Sequence, residues 1–234
     1  MTVNRCNDVL KSARVKREQY VGPWLPEPLP ITSRNEIEEF AEQSELLSYG
    51  LLVLLEKLST VERTVFVLRE AFRFEYAAIA GIVGTSEANC RTILCRSKEK
   101  MGSFEDGLFA TNQSTTEWIG QFISALELGK VDQILHLLSE DVTLLSDGGG
   151  KVVAALKPIV SREAVLRFIM GIFQNAFKKG ENIRFELTDL NGETGVIIWS
   201  GNEITTVALV RLEAGVAKEL YLIRNPEKLS HLST

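Results

Sequence analysis

The stretch that decides how the N-terminal half folds is LSTVERTVFVLREAFRFEYAAIAGIVGTSEANCRTILCRSKEKM, residues 58–101. Ser59 and Glu62 have the S-x-x-E spacing in which each side chain satisfies an orphan amide at a helix start, so a helix is expected from there to about Ala71. Val65, Phe66 and Leu68 supply its core face. A second helix is expected near Glu75 to Val83, stopped at Gly84, the residue type best able to take the left-handed conformation. Thr85 or Ser86 then caps a third, running to about Met101. Two helices separated by such a short Gly-Thr-Ser turn form a helix-turn-helix, whose second member enters the major groove of DNA.

In that second member Cys90, Leu94 and Met101 fall at i, i+4 and i+11 and share the inward face, which makes Cys90 core and not catalyst. The opposite face carries Glu87, Asn89, Arg91, Thr92, Cys95, Arg96 and Lys98. Arginine is the usual reader of guanine and asparagine of adenine, while lysines suit backbone phosphates. The candidate DNA contacts are therefore Asn89, Arg91, Thr92, Arg96, Lys98 and Lys100. The same face also reads as an ordinary solvated surface with a Glu87–Arg91 ion pair at i,i+4, and the residues alone leave both readings open.

Upstream, Leu46, Leu47, Gly50, Leu51, Leu54, Leu55 and Leu58 recur at helical spacing and mark one apolar stripe of a helix over residues 35–57. Before it, GPWLPEPLP (22–30) contains four prolines that fix the backbone in a stiff, extended segment. Trp24 and Leu25 are apolar residues that a passive spacer does not need, and they are expected to dock on a neighbouring domain. Residues 4–19 are helix formers with a basic face.

Composition limits the function classes. The 234 residues are 45% apolar and 24% charged, enough for two small cores and far from disorder. No apolar run reaches the roughly 18 residues that cross a bilayer, and the N-terminus is polar and basic, so the expected location is the cytoplasm with no membrane partner. Three cysteines (Cys6, Cys90, Cys95) and two histidines show no ligand spacing; no metal and no cofactor are expected. The net charge of −5 argues against nucleic acid, but residues 59–101 hold seven Lys/Arg against five Asp/Glu. Four of those bases, Arg91, Arg96, Lys98 and Lys100, crowd the last helix.

Downstream, residues 102–114 are polar and rich in small residues, which suggests a linker. Residues 115–139 form an amphipathic helical stretch broken around Gly129. Short β patterns come next at Val142–Ser146, Lys151–Leu156, Ile183–Leu190, Thr194–Ser200, Ile204–Leu212 and Val216–Ile223, interrupted by one helix near Arg162–Lys178. Hairpin signals (DLNGE, SGNE, LEAG) predict a mainly antiparallel sheet with helices on one face, an α+β domain. Asp147-Gly148-Gly149-Gly150-Lys151 is a tight turn without the spacing of a phosphate-binding loop.

These residues resemble the bacterial extracytoplasmic-function sigma factors that carry a SnoaL-like C-terminal extension. Residues 58–101 look like sigma region 4, the module that binds the −35 promoter element. GPWLPEP, DGGGK (147–151) and NPEKL (225–229) are similar to that group's linker, extension and closing motifs. The resemblance implies a multidomain chain: an all-α helix-turn-helix domain followed by an α+β SnoaL-like domain of the cystatin-like cone type. Its boundaries would be 1–20 for a remnant of the last region 2 helix, 21–34 for the linker, 35–103 for the region 4-like domain, 104–114 for a second linker and 115–234 for the extension. It also implies promoter DNA and bacterial RNA polymerase core as partners. The extension becomes a regulatory appendage contacted through Trp24, Leu25, Asp147, Gly148, Gly149, Gly150, Lys151, Asn225 and Pro226. Only the last helix of region 2 (NRCNDVLKSARVKRE, 4–18) is present; a shortened relative and a start lying upstream of Met1 are both open.

Two rival readings stand beside this one. SnoaL-like folds enclose an apolar pocket, so the extension could hold a small apolar ligand as a sensor, or act as an isomerase or cyclase; such domains also pair into homodimers across their sheets. General acid–base work needs a His, Asp or Glu in that pocket, and His136, His231, Asp141, Asp147 and Glu186 are candidates by elimination only. Trp199 and Phe185 are read as core, and no catalysis is expected. Alternatively the extension is an interaction module that masks the DNA-reading helix through DGGGK, NPEKL and Trp24.

Overall fold

The computed structural model describes residues 20–30, 49–101 and 112–232. The expected helix at 4–19, the first part of the 35–57 helix and most of the 102–114 linker lie outside the described residues. The chain divides into two compact units, the first containing 49–101 and the second containing 20–30 together with 112–232.

The first unit is helical. Helix α1 (Tyr49–Leu55) ends the apolar stripe, and Gly50, Leu51, Leu54 and Leu55 are buried. Helix α2 (Thr60–Phe66) begins with the expected reciprocal cap: Ser59 N–H donates to Glu62 Oε2 at 2.8 Å and Glu62 N–H to Ser59 Oγ at 3.4 Å. It widens into a π-helical turn over Val67–Ala71, closed by Phe72 N–H donating to Val67 O at 3.2 Å. Helix α3 (Tyr76–Val83) stops at Gly84, which takes φ 74° and donates its N–H to Ala80 O. Helix α4 (Glu87–Met101) comes next. Leu51, Leu58, Val65, Ile79, Cys90 and Leu94 meet in one core cluster. Burial of these side chains, each worth about 1.5–3 kcal/mol, holds the short helices that would not be stable alone.

The second unit is α+β. The 115–139 helical stretch is broken around Gly129 as expected, into α5 (Asn112–Glu127) and α6 (Val131–Leu137), with Gly129 left-handed at φ 64° between them. Leu138 is already extended and opens β1 (Leu138–Asp147). The chain continues through β2 (Ile159–Val160), α7 (Arg162–Lys178), β3 (Ile183–Leu190), β4 (Glu193–Ser200), β5 (Glu203–Glu213), β6 (Val216–Ile223) and α8 (Pro226–Leu229). One sheet has the order β2-β1-β6-β5-β4-β3, antiparallel except for the β1–β6 pair.

The strand expected at Lys151–Leu156 is absent. β2 pairs antiparallel with β1 through Thr143–Val160 and Leu144–Ile159, so 148–158 must be the loop that returns the chain around the end of β1. Its apolar residues stay outside the sheet, and Val153 is 85% exposed.

Alternation gives the sheet two faces. Leu144, Val196, Val210 and Leu220 pack with Trp118, Ile119 and Val165 of α5 and α7 in the main core. On the opposite face Val207, Leu209, Tyr221 and Ile223 are also buried. The Pro-rich segment, expected as a linker between domains, belongs to this unit. It runs from Leu25, bonded to Asp147 of β1, to Pro30, which forms a β-bridge with Leu190 of β3. Five extended residue steps reach about 17 Å, close to the roughly 19 Å of the four inter-strand spacings between those two strands, so the segment must run nearly fully extended.

Candidate nucleic-acid interface and linker clasp

The first site grows from the turn between α3 and α4. Gly84 reverses the chain, and Ser86 Oγ accepts from Asn89 N–H at 3.2 Å to start α4. Cys90, Leu94 and Met101 point inward as expected, joined by Ser97, which sequence reasoning missed. Position 97 completes the i, i+4, i+7, i+11 stripe, and its hydroxyl is tolerable there because it donates to Ile93 O at 2.8 Å. Burial pushes the Cys90 thiol pKa up, away from the thiolate a nucleophile needs.

The outer face is exposed at Asn89, Arg91, Thr92, Cys95, Arg96, Lys98 and Lys100. The ion pair expected on that face is present. Arg91 pairs with Glu87 at 3.2 Å, and its guanidinium also lies 4.7 Å from the centroid of Tyr76. Asn89 Nδ2 donates to Thr85 Oγ1 at 2.8 Å, and Thr92 Oγ1 to Ala88 O at 3.1 Å. Lys98 pairs with Glu70 at 3.2 Å and Lys100 with Glu62 at 2.5 Å. Arg96 makes no ion pair among the described residues. The Arg91–Glu87 pair is exposed on both sides and contributes only about 0–1 kcal/mol, so a phosphate or a base edge can replace its carboxylate at little cost, whereas the carboxylates that meet Lys98 and Lys100 are largely buried. The Lys100 hydrogen bond has its clearest effect on Glu62, whose carboxyl it brings down to about 2.

The second site gathers three motifs far apart in the chain around Asp147, which is fully buried. Its Oδ1 accepts from Tyr20 Oη at 2.6 Å and Gly149 N–H at 3.1 Å; its Oδ2 accepts from Leu25 N–H at 2.9 Å and Lys228 Nζ at 2.7 Å. Lys228 also donates to Leu25 O and lies 3.9 Å from the Trp24 ring centroid. Asn225 Nδ2 donates to Tyr20 Oη at 2.8 Å, and its Oδ1 caps α8, with Pro226 at the start of that helix. Burial, then the hydrogen bond to Asp147, raises the Tyr20 pKa far above its ordinary value.

The glycines are explained by the same geometry. A Cβ on Gly149, which has φ 60°, would sit 2.4 Å from Asn225 Nδ2, and one on Gly148 would sit 2.6 Å from Val152 O. Gly150 backs onto Val21, and Lys151 pairs with Glu227. Trp24, Leu25, Asp147, the three glycines, Lys151, Asn225 and Pro226 are thus brought together within the second unit. Tyr20 and Lys228 were missed as site residues, although Lys228 lies inside NPEKL and Tyr20 lies two residues before GPWLPEPLP.

A cavity of about 550 Å³ lies between α5, α7 and the inner face of the sheet. None of the five acid–base candidates lines it. His136 is exposed on α6, and His231 leans on the linker, 2.7 Å from Pro28 O. Asp141 is exposed and held down to about 2 by its hydrogen bond to Lys218. Asp147 is in the clasp, and Glu186 lies on the outer face, accepting from Trp199 Nε1 at 2.9 Å. Trp199 is consequently not core but half-buried under Arg184, whereas Phe185 does line the cavity. No helix among the described residues is long and apolar enough to cross a membrane.

Residues 50–101 match the family model for sigma-70, region 4. The chain is 32% identical over 192 residues to the ECF RNA polymerase sigma factor SigJ of Mycobacterium tuberculosis, covering 80% of this chain and 61% of that protein. It therefore spans less than two thirds of that relative's length. It is 25% identical over 236 residues to the probable ECF RNA polymerase sigma factor SigI of the same species, covering 99% of this chain and 77% of that one. The crystal structure of SigJ superposes with a TM-score of 0.70 at 26% identity, over 91% of this chain and 76% of that structure.

Proposed function

We propose that this chain is a relative of the extracytoplasmic-function RNA polymerase sigma factors, joining a sigma-70 region 4 to an α+β SnoaL-like domain, and that it binds the −35 element of promoters together with bacterial RNA polymerase core. One observation carries the reading: α4 is anchored by a buried Cys90/Leu94/Ser97/Met101 stripe while Arg91 and Arg96 face solvent directly after a Gly84 turn. Arg91 and Arg96 contact base edges or phosphates, with Asn89 and Thr92 beside them and Lys98 and Lys100 on the backbone.

Binding of the full chain to a duplex carrying a −35 element tests this, with titrations at several salt concentrations. Each of Arg91→Ala and Arg96→Ala should cost about 1–3 kcal/mol if it reads a base, and a phosphate contact should flatten the salt dependence. Unchanged affinity and unchanged salt slope in the double variant reject the assignment.

The second unit modulates that binding, and the clasp supplies the means: it fixes the segment that leads toward the first unit in sequence. A homodimer through the sheet would have to form beside residues 20–30 and α8, which occupy part of its outer face. Light scattering of the full chain at two concentrations separates monomer from dimer.

A further inference from the structure

The inner-face alternation of β6 continues past the strand. Leu220 and Leu222 line the cavity, and so does Arg224 two residues on. An arginine at the end of an apolar row is unusual chemistry for a packed core. The walls around it are aromatic: Trp118 stacks on Phe122 with centroids 4.8 Å apart, and Phe173 on Phe185 at 6.1 Å. Trp118 directs its indole N–H away, to Leu137 O at 3.0 Å, and leaves its ring to the cavity.

Four ionisable groups belong to the lining: Lys151, Lys179, Glu181 and Arg224. Lys151 is matched by Glu227, and Lys179 by Glu181 at 3.9 Å. Glu181 also accepts from Ser200 Oγ at 3.0 Å. Arg224 has no carboxylate within ion-pair distance among the described residues, and the Glu181 carboxylate of the same lining acts on it only electrostatically, without a hydrogen bond. One guanidinium nitrogen donates to Val153 O, and its Nε–H is buried without a hydrogen-bond acceptor. A desolvated cation with an unused donor is costly until an anion meets it.

We propose that this cavity binds an amphipathic carboxylic acid, its apolar chain or ring among the aromatic walls and its carboxylate on Arg224. The volume lies within the range of roughly 300–1,000 Å³ typical of small-molecule sites. A planar guanidinium fits a carboxylate through paired N–H donors, and Nε–H is one donor of such a pair. Val153, exposed on the return loop, forms the lip over which a longer chain would leave. The site deepens the modulating role given above to the second unit; it rests on that reading for its purpose but not for its chemistry.

The test uses the full chain and two probes of equal length, dodecanoate and dodecanol, each below its aggregation threshold, titrated by calorimetry. The acid should bind about 10- to 100-fold more tightly than the alcohol, the ratio a charge-assisted hydrogen bond supplies. Arg224→Gln should reduce that ratio to near one while leaving alcohol binding intact. Ala176→Phe, placed on the cavity wall of α7, should weaken both probes and leave the chain folded by circular dichroism. Absence of acid binding to the wild-type chain, equal binding of acid and alcohol, or a preserved preference in folded Arg224→Gln each overturns the proposal. DNA binding measured on the same preparations keeps the two readings apart, since Arg224→Gln is expected to bind the −35 duplex as the wild type does.

Discussion

Replacing Asp147 by asparagine removes one charge and almost no volume, yet it sets an NH₂ where an oxygen accepted two hydrogen bonds at the centre of the clasp and leaves Lys228 without its counter-charge. All four partners of the carboxylate are donors, two on each oxygen: Tyr20 Oη and Gly149 N–H on Oδ1, Leu25 N–H and Lys228 Nζ on Oδ2. Whichever way the amide is turned, its NH₂ faces a backbone N–H that cannot become an acceptor. The cheaper orientation keeps the oxygen toward Lys228, because there the alternative is an NH₂ against a buried ammonium. Losing one partner of a buried, hydrogen-bonded charge pair costs about 3–5 kcal/mol. At about 3–4 °C per kcal/mol for a unit of this size, the melting temperature should fall by roughly 10 to 20 °C. Differential scanning calorimetry of full-length Asp147→Asn measures the shift. The double variant with Lys228→Met should be less destabilised than the two single variants added together, since the orphaned charges vanish together. A fall below about 2 °C, or strict additivity in the cycle, would refute the account of the clasp as one coupled unit.

Gly149→Ala should lower the urea midpoint by the equivalent of about 2–4 kcal/mol, from left-handed strain plus the displaced Asn225–Tyr20 hydrogen bond. Gly192→Ala, with φ 84° but open space around its Cβ, is the control that carries the strain alone. In the first unit, the Glu62 carboxyl is lowered from 4.5 to about 2, so its contribution to stability is present above about pH 4.5 and lost as pH falls toward 2. Glu62→Gln should therefore flatten stability against pH across that window while also weakening the Ser59 cap; an unchanged slope would show that the Lys100 pairing adds nothing to the fold.

How much of this could be read before the structure depends on how local the cause is. The Ser59–Glu62 cap, the Gly84 stop and the Cys90/Leu94/Met101 stripe each act within one or two turns of helix, so residue type and spacing suffice. The hairpins of β3 to β6 were equally legible, because their turns carry glycine between alternating apolar residues. Lys151–Leu156 misled for the same reason in reverse: Val-Val-Ala-Ala-Leu has strand composition, but β1 already has β6 on one side and β2 on the other. No propensity reports that a neighbour's hydrogen bonds are taken. Trp199 was misplaced because alternation gives two faces without saying which is covered.

The chain alone determined that there would be a helix-turn-helix with an arginine-bearing outer face, and that an α+β domain would come after it. It also marked GPWLPEP, DGGGK and NPEKL as places where ordinary propensity is set aside. What they do together was decided by tertiary structure, since Tyr20, Leu25 and Lys228 reach Asp147 across separations of 127, 122 and 81 residues. A buried carboxylate must find donors wherever the fold can supply them, and periodicity has no memory over such distances. The same holds for Arg224, an ordinary base in the sequence, whose charge acquires meaning only when the fold brings it to a largely apolar cavity lined also by Glu181.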